Sequence, residues 1–120
     1  KPDFICLNYA NPDMVGHTGD FNAVTKAIET IDNCMGEIIA ESTKGNYVLI
    51  IIADHGNAEF MINKDGSPNT AHTTNKVPCF IINSNYQSIQ PGGLSDIAPT
   101  ILSIMNINCP KEMTGKTLVN

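Results

Sequence analysis

The chain has 120 residues, enough for one compact domain with a modest core and too few for two ordinary ones. It is acidic, with 7 Lys plus Arg against 12 Asp plus Glu and a net charge of -5, which argues against a nucleic-acid or anionic-membrane surface. No apolar run reaches the roughly 18 residues of a membrane span, and no charged leader precedes a long apolar stretch, so a soluble, cytoplasmic protein is expected.

Taken in chain order, Phe4 to Ala10 ("FICLNYA") is a short apolar run of strand formers ended by Asn11-Pro12, and reads as a buried strand. Phe21, Val24, Ile28, Ile31, Met35 and Ile38 then recur at steps of three and four, which predicts a helix from about Asp20 to Ser42 with that stripe in the core. Asp20 is its expected N-cap, and Lys44-Gly45-Asn46 supplies the basic residue and glycine of a helix end. Tyr47 to Ala53 ("YVLIIIA") is continuously apolar and β-branched, the pattern of a parallel strand buried on both faces. A polar excursion from Asp54 to Lys76 carries a turn signal at Asp65-Gly66. Val77 to Asn83 reads as another strand, and the stretch from Gly92 as a second amphipathic helix capped by Ser95, before an irregular tail. The four cysteines are widely spaced without a CxxC pair, so buried free thiols in a reducing compartment are expected.

This rhythm is that of an α/β fold with a mainly parallel sheet flanked by helices. Three strands are few for such a sheet, which would leave an uncovered edge. The sequence also starts at Lys1 without an initiator methionine and enters an apolar run almost at once, as a segment cut from a longer chain would.

In α/β sheets ligands bind beyond the carboxyl ends of strands, and all three histidines have such addresses. Asp13 and His17 follow the first strand, Asp54 and His55 the second, and His72 lies in the same polar excursion. Carboxylate oxygen and neutral imidazole nitrogen suit zinc, manganese and related divalent ions. Asp13 and His17 are four apart, so one helical turn or a compact loop would bring them together, with Gly16 and Gly19 giving the backbone freedom. Asp54 and His55 can serve one ion only if the chain leaves strand geometry there, a bend Gly56 permits. Taken singly, each signal has a plainer reading: an Asp-His pair at a strand end is commonly a cap or turn, and Glu59 is a solvated charge or, alternatively, a partner to a ligating imidazole. Together the five residues are too many for one tetrahedral ion with an open position and too few for two well-held ions.

The motifs "NYANPDMVGHTGD", "ADHGNAE", "NTAHTTNKVP", "LSDIAPTIL" and "EMTGKTL" resemble, in order and spacing, the C-terminal part of the cofactor-independent (2,3-bisphosphoglycerate-independent) phosphoglycerate mutases. "DHG" alone is shared across the alkaline phosphatase superfamily. The resemblance implies part of an alkaline-phosphatase-like domain holding two divalent ions, most often Mn2+, with Zn2+, Co2+ and Mg2+ as alternatives. It implies Asp13, His17 and His72 as ligands of one ion, and Asp54 and His55 as two ligands of the other. The substrates implied are 3-phosphoglycerate and 2-phosphoglycerate, exchanged through a phosphoserine. The nucleophilic serine and a further Asp ligand belong to an N-terminal part without counterpart here, as does the transferase domain that holds the glycerate, so the fragment alone is expected to be inactive. Another phosphatase-superfamily hydrolase, or a non-catalytic metal-binding fragment, is the alternative reading.

Overall fold

A computed structural model describes residues 1–120. They gather into two compact units, Lys1–Ile82 and Asn83–Asn120.

In the first unit, helix α1 spans Asn11–Gly16 and helix α2 spans Phe21–Lys44. Pro12 sits in the first turn of α1, where its missing N–H costs nothing because that group would be unpaired anyway. Gly19 takes φ +72° in the short link between the helices, a left-handed conformation that glycine adopts without a Cβ clash. Asp20 caps α2 as expected, its carboxylate accepting the Ala23 N–H at 3.0 Å. At the other end Gly45 stays right-handed and Asn46 takes the left-handed position at φ 54°. The Tyr47 and Asn46 N–H groups then close back on the Ser42 and Thr43 carbonyls at 2.9 and 3.0 Å, satisfying two otherwise unpaired acceptors. The apolar stripe of α2 is only partly covered: Val24 is buried, Ile31, Met35 and Ile38 are half-buried, and Phe21 and Ile28 are exposed.

Strands β1 (Leu49–Ile52) and β2 (Cys79–Ile82) form a two-stranded sheet. The pairing is antiparallel, with Leu49 opposite Ile82 and Ile52 opposite Cys79, so the parallel sheet expected from the apolar runs is not formed. The reason is the connection: residues 53–78 contain no crossover helix and double back on themselves, so β2 returns against the direction of β1. Residues 4–10 form no strand, and Phe4, Ile5 and Leu7 are exposed. Their composition suits a strand, yet a strand exists only where a partner offers hydrogen bonds. The excursion is a narrow antiparallel ribbon with bridges Gly56↔Thr73 and Ile62↔Pro68. It turns at Gly66, φ +85°, as the Asp65-Gly66 signal predicts. Met61 is buried within it.

In the second unit a 3₁₀ turn, Leu94–Asp96, leads into helix α3, Ile97–Ile104. Ser95 is not the cap. Asp96 holds the N-cap position of α3 without a side-chain bond into the helix, and its carboxylate instead accepts the Gly93 N–H and, from the tail, the Lys116 N–H, each at 2.8 Å. Thr100, 2% exposed, donates to the Asp96 carbonyl at 2.7 Å and accepts the Leu118 N–H at 2.9 Å, which holds the tail against α3. Leu118 and Val119 are thereby buried, and Val119 bridges to Ile89. All four cysteines are free, but Cys6 and Cys109 are exposed and Cys34 and Cys79 half-buried, so the expected burial is not found.

Replacing Asp20 with Ala removes the one side-chain cap of α2. Urea denaturation should show a loss of about 1 kcal/mol.

Candidate metal centre

The site is assembled by two local geometries. On α1, positions 13 and 17 lie one turn apart, so Asp13 in the first turn and His17 at the C-cap share a face, with Oδ1 and Nε2 3.2 Å apart. On the ribbon, alternation about the Gly56↔Thr73 bridge puts residues 55, 57 and 72 on one face, with 57 opposite 72 and 55 diagonal to it. The His55 and His72 rings accordingly stack, with centroids 3.7 Å apart. The ribbon face and the α1 face meet at Asp13.

His72 Nε2 stands 2.9 Å from Asp13 Oδ1 and 3.1 Å from His17 Nε2. His17 Nδ1 lies 2.7 Å from the Thr70 carbonyl, which can only accept. Nδ1 therefore carries the proton in the neutral ring, and Nε2 presents a lone pair toward Asp13. A lone pair facing a carboxylate oxygen at 3.2 Å is unfavourable unless a cation or a proton lies between them. Donor atoms about 2.1 Å from one ion and at right angles around it stand about 3.0 Å apart, so these three fit a divalent cation in spacing as well as in type.

His55 stands beside this trio. Its Nε2 is 3.9 Å from Asp13 Oδ1 and 3.7 Å from Asp54 Oδ1. Asp13, His55 and His72 also offer three ligand atoms within 4.8 Å of one another, a looser set than the one that includes His17. Asp54 lies one residue off the shared ribbon face, and its side chain is 81% exposed. The structure thus brings Asp13, His17 and His72 together, sets His55 alongside, and leaves Asp54 at the margin.

Asn57, which the sequence reading passed over, holds this arrangement together with Glu59 and Gly56, whose roles it read differently. Asn57 is buried and its side-chain amide donates to Asp13 Oδ1 at 3.0 Å. Glu59 is exposed, in keeping with a solvated charge, but it pairs with the ribbon instead of an imidazole: it accepts from the Asn57 backbone N–H at 2.6 Å, from Asn75 Nδ2 at 2.9 Å and from the Thr73 hydroxyl. Gly56 contributes room more than a bend, since a Cβ there would lie 2.2 Å from Thr73 Oγ1 and 2.3 Å from Glu59 Oε1. The available clue was the "HGNAE" motif, in which Asn57 and Glu59 alternate with His55.

Burial pushes the Asp13 carboxyl up, but hydrogen bonds from Asn57 and His72 and the charges of His17 and His72 outweigh it and hold it below the usual range. The Thr73 hydroxyl lowers Glu59, partly opposed by burial and reinforced by Asn75 and backbone N–H groups.

The sequence profile of the metalloenzyme superfamily matches residues 1–109. The chain belongs to this superfamily. Curated relatives of this metalloenzyme chain include the 2,3-bisphosphoglycerate-independent phosphoglycerate mutases of Flavobacterium johnsoniae and Moorella thermoacetica. The first is 53% identical over 98% of the chain and 23% of the relative, the second 51% identical over 99% and 24%. Among solved structures, phosphoglycerate mutase from Leishmania mexicana, crystallised at low cobalt concentration, matches with a TM-score of 0.81 at 28% identity, over 94% of this chain and 24% of its own. The chain therefore spans about a quarter of the length of the proteins it matches. These matches bear out the resemblance carried by the sequence motifs, agree with an α/β fold of alkaline-phosphatase type, and support divalent-metal binding by this metalloenzyme. No helix is long and apolar enough to cross a membrane.

The folded Glu59 carboxyl titrates below its unfolded counterpart. Its stabilisation is thus complete above the ordinary glutamate range and is lost as pH falls through the depressed folded value. Glu59→Gln should be less stable than the parent chain at neutral pH, and the gap should close on acidification through that window, as followed by urea midpoints.

Proposed function

We propose that the chain is the C-terminal metal-binding part of a two-metal phosphoglycerate mutase that interconverts 3-phosphoglycerate and 2-phosphoglycerate through a phosphoserine. The observation that carries this reading is the convergence of Asp13 Oδ1, His17 Nε2 and His72 Nε2 within 3.2 Å of one another, in a chain about half identical to proteins of that name.

In this reading Asp13, His17 and His72 hold one divalent ion, and Asp54 and His55 contribute to a second. Further ligands, the nucleophilic serine and the glycerate-binding residues belong to the remainder of the polypeptide, which completes one alkaline-phosphatase-like domain with residues 1–120. Manganese is the proposed ion, because hard carboxylate and borderline imidazole donors accept it and no thiol biases the set toward zinc. When bound, the two ions supply electrostatic stabilisation of the phosphoryl oxygens and activation of the serine hydroxyl.

The contribution of this chain is positional. Thr70 fixes the His17 tautomer through its carbonyl, so that Nε2 is the coordinating atom. Stacking against His55 restrains the His72 ring. Asp13 supplies the negative charge on which both imidazoles converge. None of the serines, Ser42, Ser67, Ser84, Ser88, Ser95 and Ser103, is among the residues that meet at Asp13, so no nucleophile of this chain stands at the site.

Manganese titration by calorimetry tests the ligand set. His17→Ala should weaken binding by more than about 10-fold. Lys44→Ala, which removes only an exposed pair with Glu41, should leave it unchanged, and equal affinities of the two variants would sink the assignment. Binding should also weaken as pH falls, since coordinating imidazoles must be neutral. Separately, the purified chain should not convert 3-phosphoglycerate to 2-phosphoglycerate in a coupled assay, and turnover free of contaminating enzyme would contradict the missing nucleophile.

A further inference from the structure

We infer that Asn57 is a positioning residue for the metal centre: its side-chain amide, seated against Gly16 and pinned through its backbone by Glu59, aims Asp13 Oδ1 at the point where His17 and His72 converge. The inference rests on the metal-binding reading above and adds to it a residue that touches no substrate and acts only through Asp13.

The orientation of the amide is chemically determined. Asp13 Oδ1 lies 3.0 Å from Asn57 Nδ2, and an ionised carboxylate accepts hydrogen bonds without donating, so the NH2 group must face Asp13 and the carbonyl must face away. Asn57 is 6% exposed, and its Oδ1 is buried with no hydrogen-bond partner. Leaving such an acceptor unpaired is costly, and a buried unsatisfied group of this kind calls for an explanation. An asparagine kept for packing alone would be better replaced by an apolar residue of the same shape. The explanation that fits is the other end of the amide: one lone pair of Oδ1 is held by Nδ2, leaving another to face the two imidazoles.

The surroundings are fitted to this role from both sides. On α1, a Cβ at Gly16 would lie 2.2 Å from Asn57 Oδ1 and 2.8 Å from its Cγ, so the glycine makes the space the amide occupies, one residue before His17. On the ribbon, the Asn57 backbone N–H is tied to Glu59 Oε2 at 2.6 Å, while Glu59 Oε1 accepts from Thr73, the neighbour of His72, and from Asn75. One carboxylate thus fixes Asn57 and the His72 side of the ribbon together, and Asn57 passes that register to α1.

Asn57→Leu separates positioning from packing, because leucine has nearly the same shape, lacks the N–H and removes the orphaned carbonyl. In the full chain, Mn2+ affinity by calorimetry should fall about 10- to 100-fold and the visible spectrum of the Co2+-loaded chain should change. The urea midpoint of the metal-free chain should hold or rise. Asn57→Ala, which cannot clash, should give the same loss of affinity should the leucine variant fail to fold. Unchanged affinity in either folded variant overturns the inference. A fall in affinity matched by a fall in the metal-free midpoint, with an unaltered Co2+ spectrum, overturns it equally, by reducing Asn57 to a structural residue. Failure of the unsubstituted chain to bind either ion overturns the metal reading itself, a result distinct from the other two.

Discussion

The convergence of polar groups on one carboxylate oxygen dominates this chain. Asp13 Oδ1 has an imidazole nitrogen at 2.9 Å and another at 3.2 Å, and the second presents a lone pair because its ring proton is committed to the Thr70 carbonyl. Bringing the His17 lone pair toward a carboxylate that already accepts from Asn57 and His72 is a placement the backbone must enforce. Two short elements do this. One turn of helix fixes the separation of Asp13 and His17, and the ribbon pairing at Gly56↔Thr73 brings His55, Asn57 and His72 to a common face. Most of what surrounds them, including Gly16, Glu59, Thr73 and Asn75, keeps those two elements in register.

The apolar packing of the first unit is thin. Val24 and Met61 are its buried hydrophobic residues, whereas Phe4, Ile5, Leu7, Phe21 and Phe80 are exposed. The second unit is organised differently, by hydrogen bonds that Asp96 and Thr100 accept from the returning tail.

What could be read from the sequence follows the range of each interaction. The α2 helix, its Asp20 cap and the turn at Gly66 depend on residues within a few positions of each other, and each was legible. The candidate ligands were legible as residue types at strand ends, and the spacing of Asp13 and His17 already contained their meeting. Sheet direction was not, because an apolar run such as Leu49–Ile52 says that it is covered without saying by what. Residues 4–10 illustrate the same limit: strand composition without a strand partner. Asn57 went unread, and the partners of Glu59 were not foreseen, because their value lies in contacts 44 and 14 to 16 positions away, and a polar residue in a polar loop has no periodicity to betray it.

The ribbon also separates two properties that loops usually combine. It leaves the sheet at Ile52 and returns at Cys79, directly opposite, and is fastened again at Gly56↔Thr73 and Ile62↔Pro68 before it turns at Gly66. Every ribbon residue that meets Asp13 lies on the sheet side of Ile62↔Pro68. The tip beyond it can lengthen at little entropic expense, since closure entropy grows only with the logarithm of loop size. A change in the length of the tip would therefore leave the ligand geometry untouched.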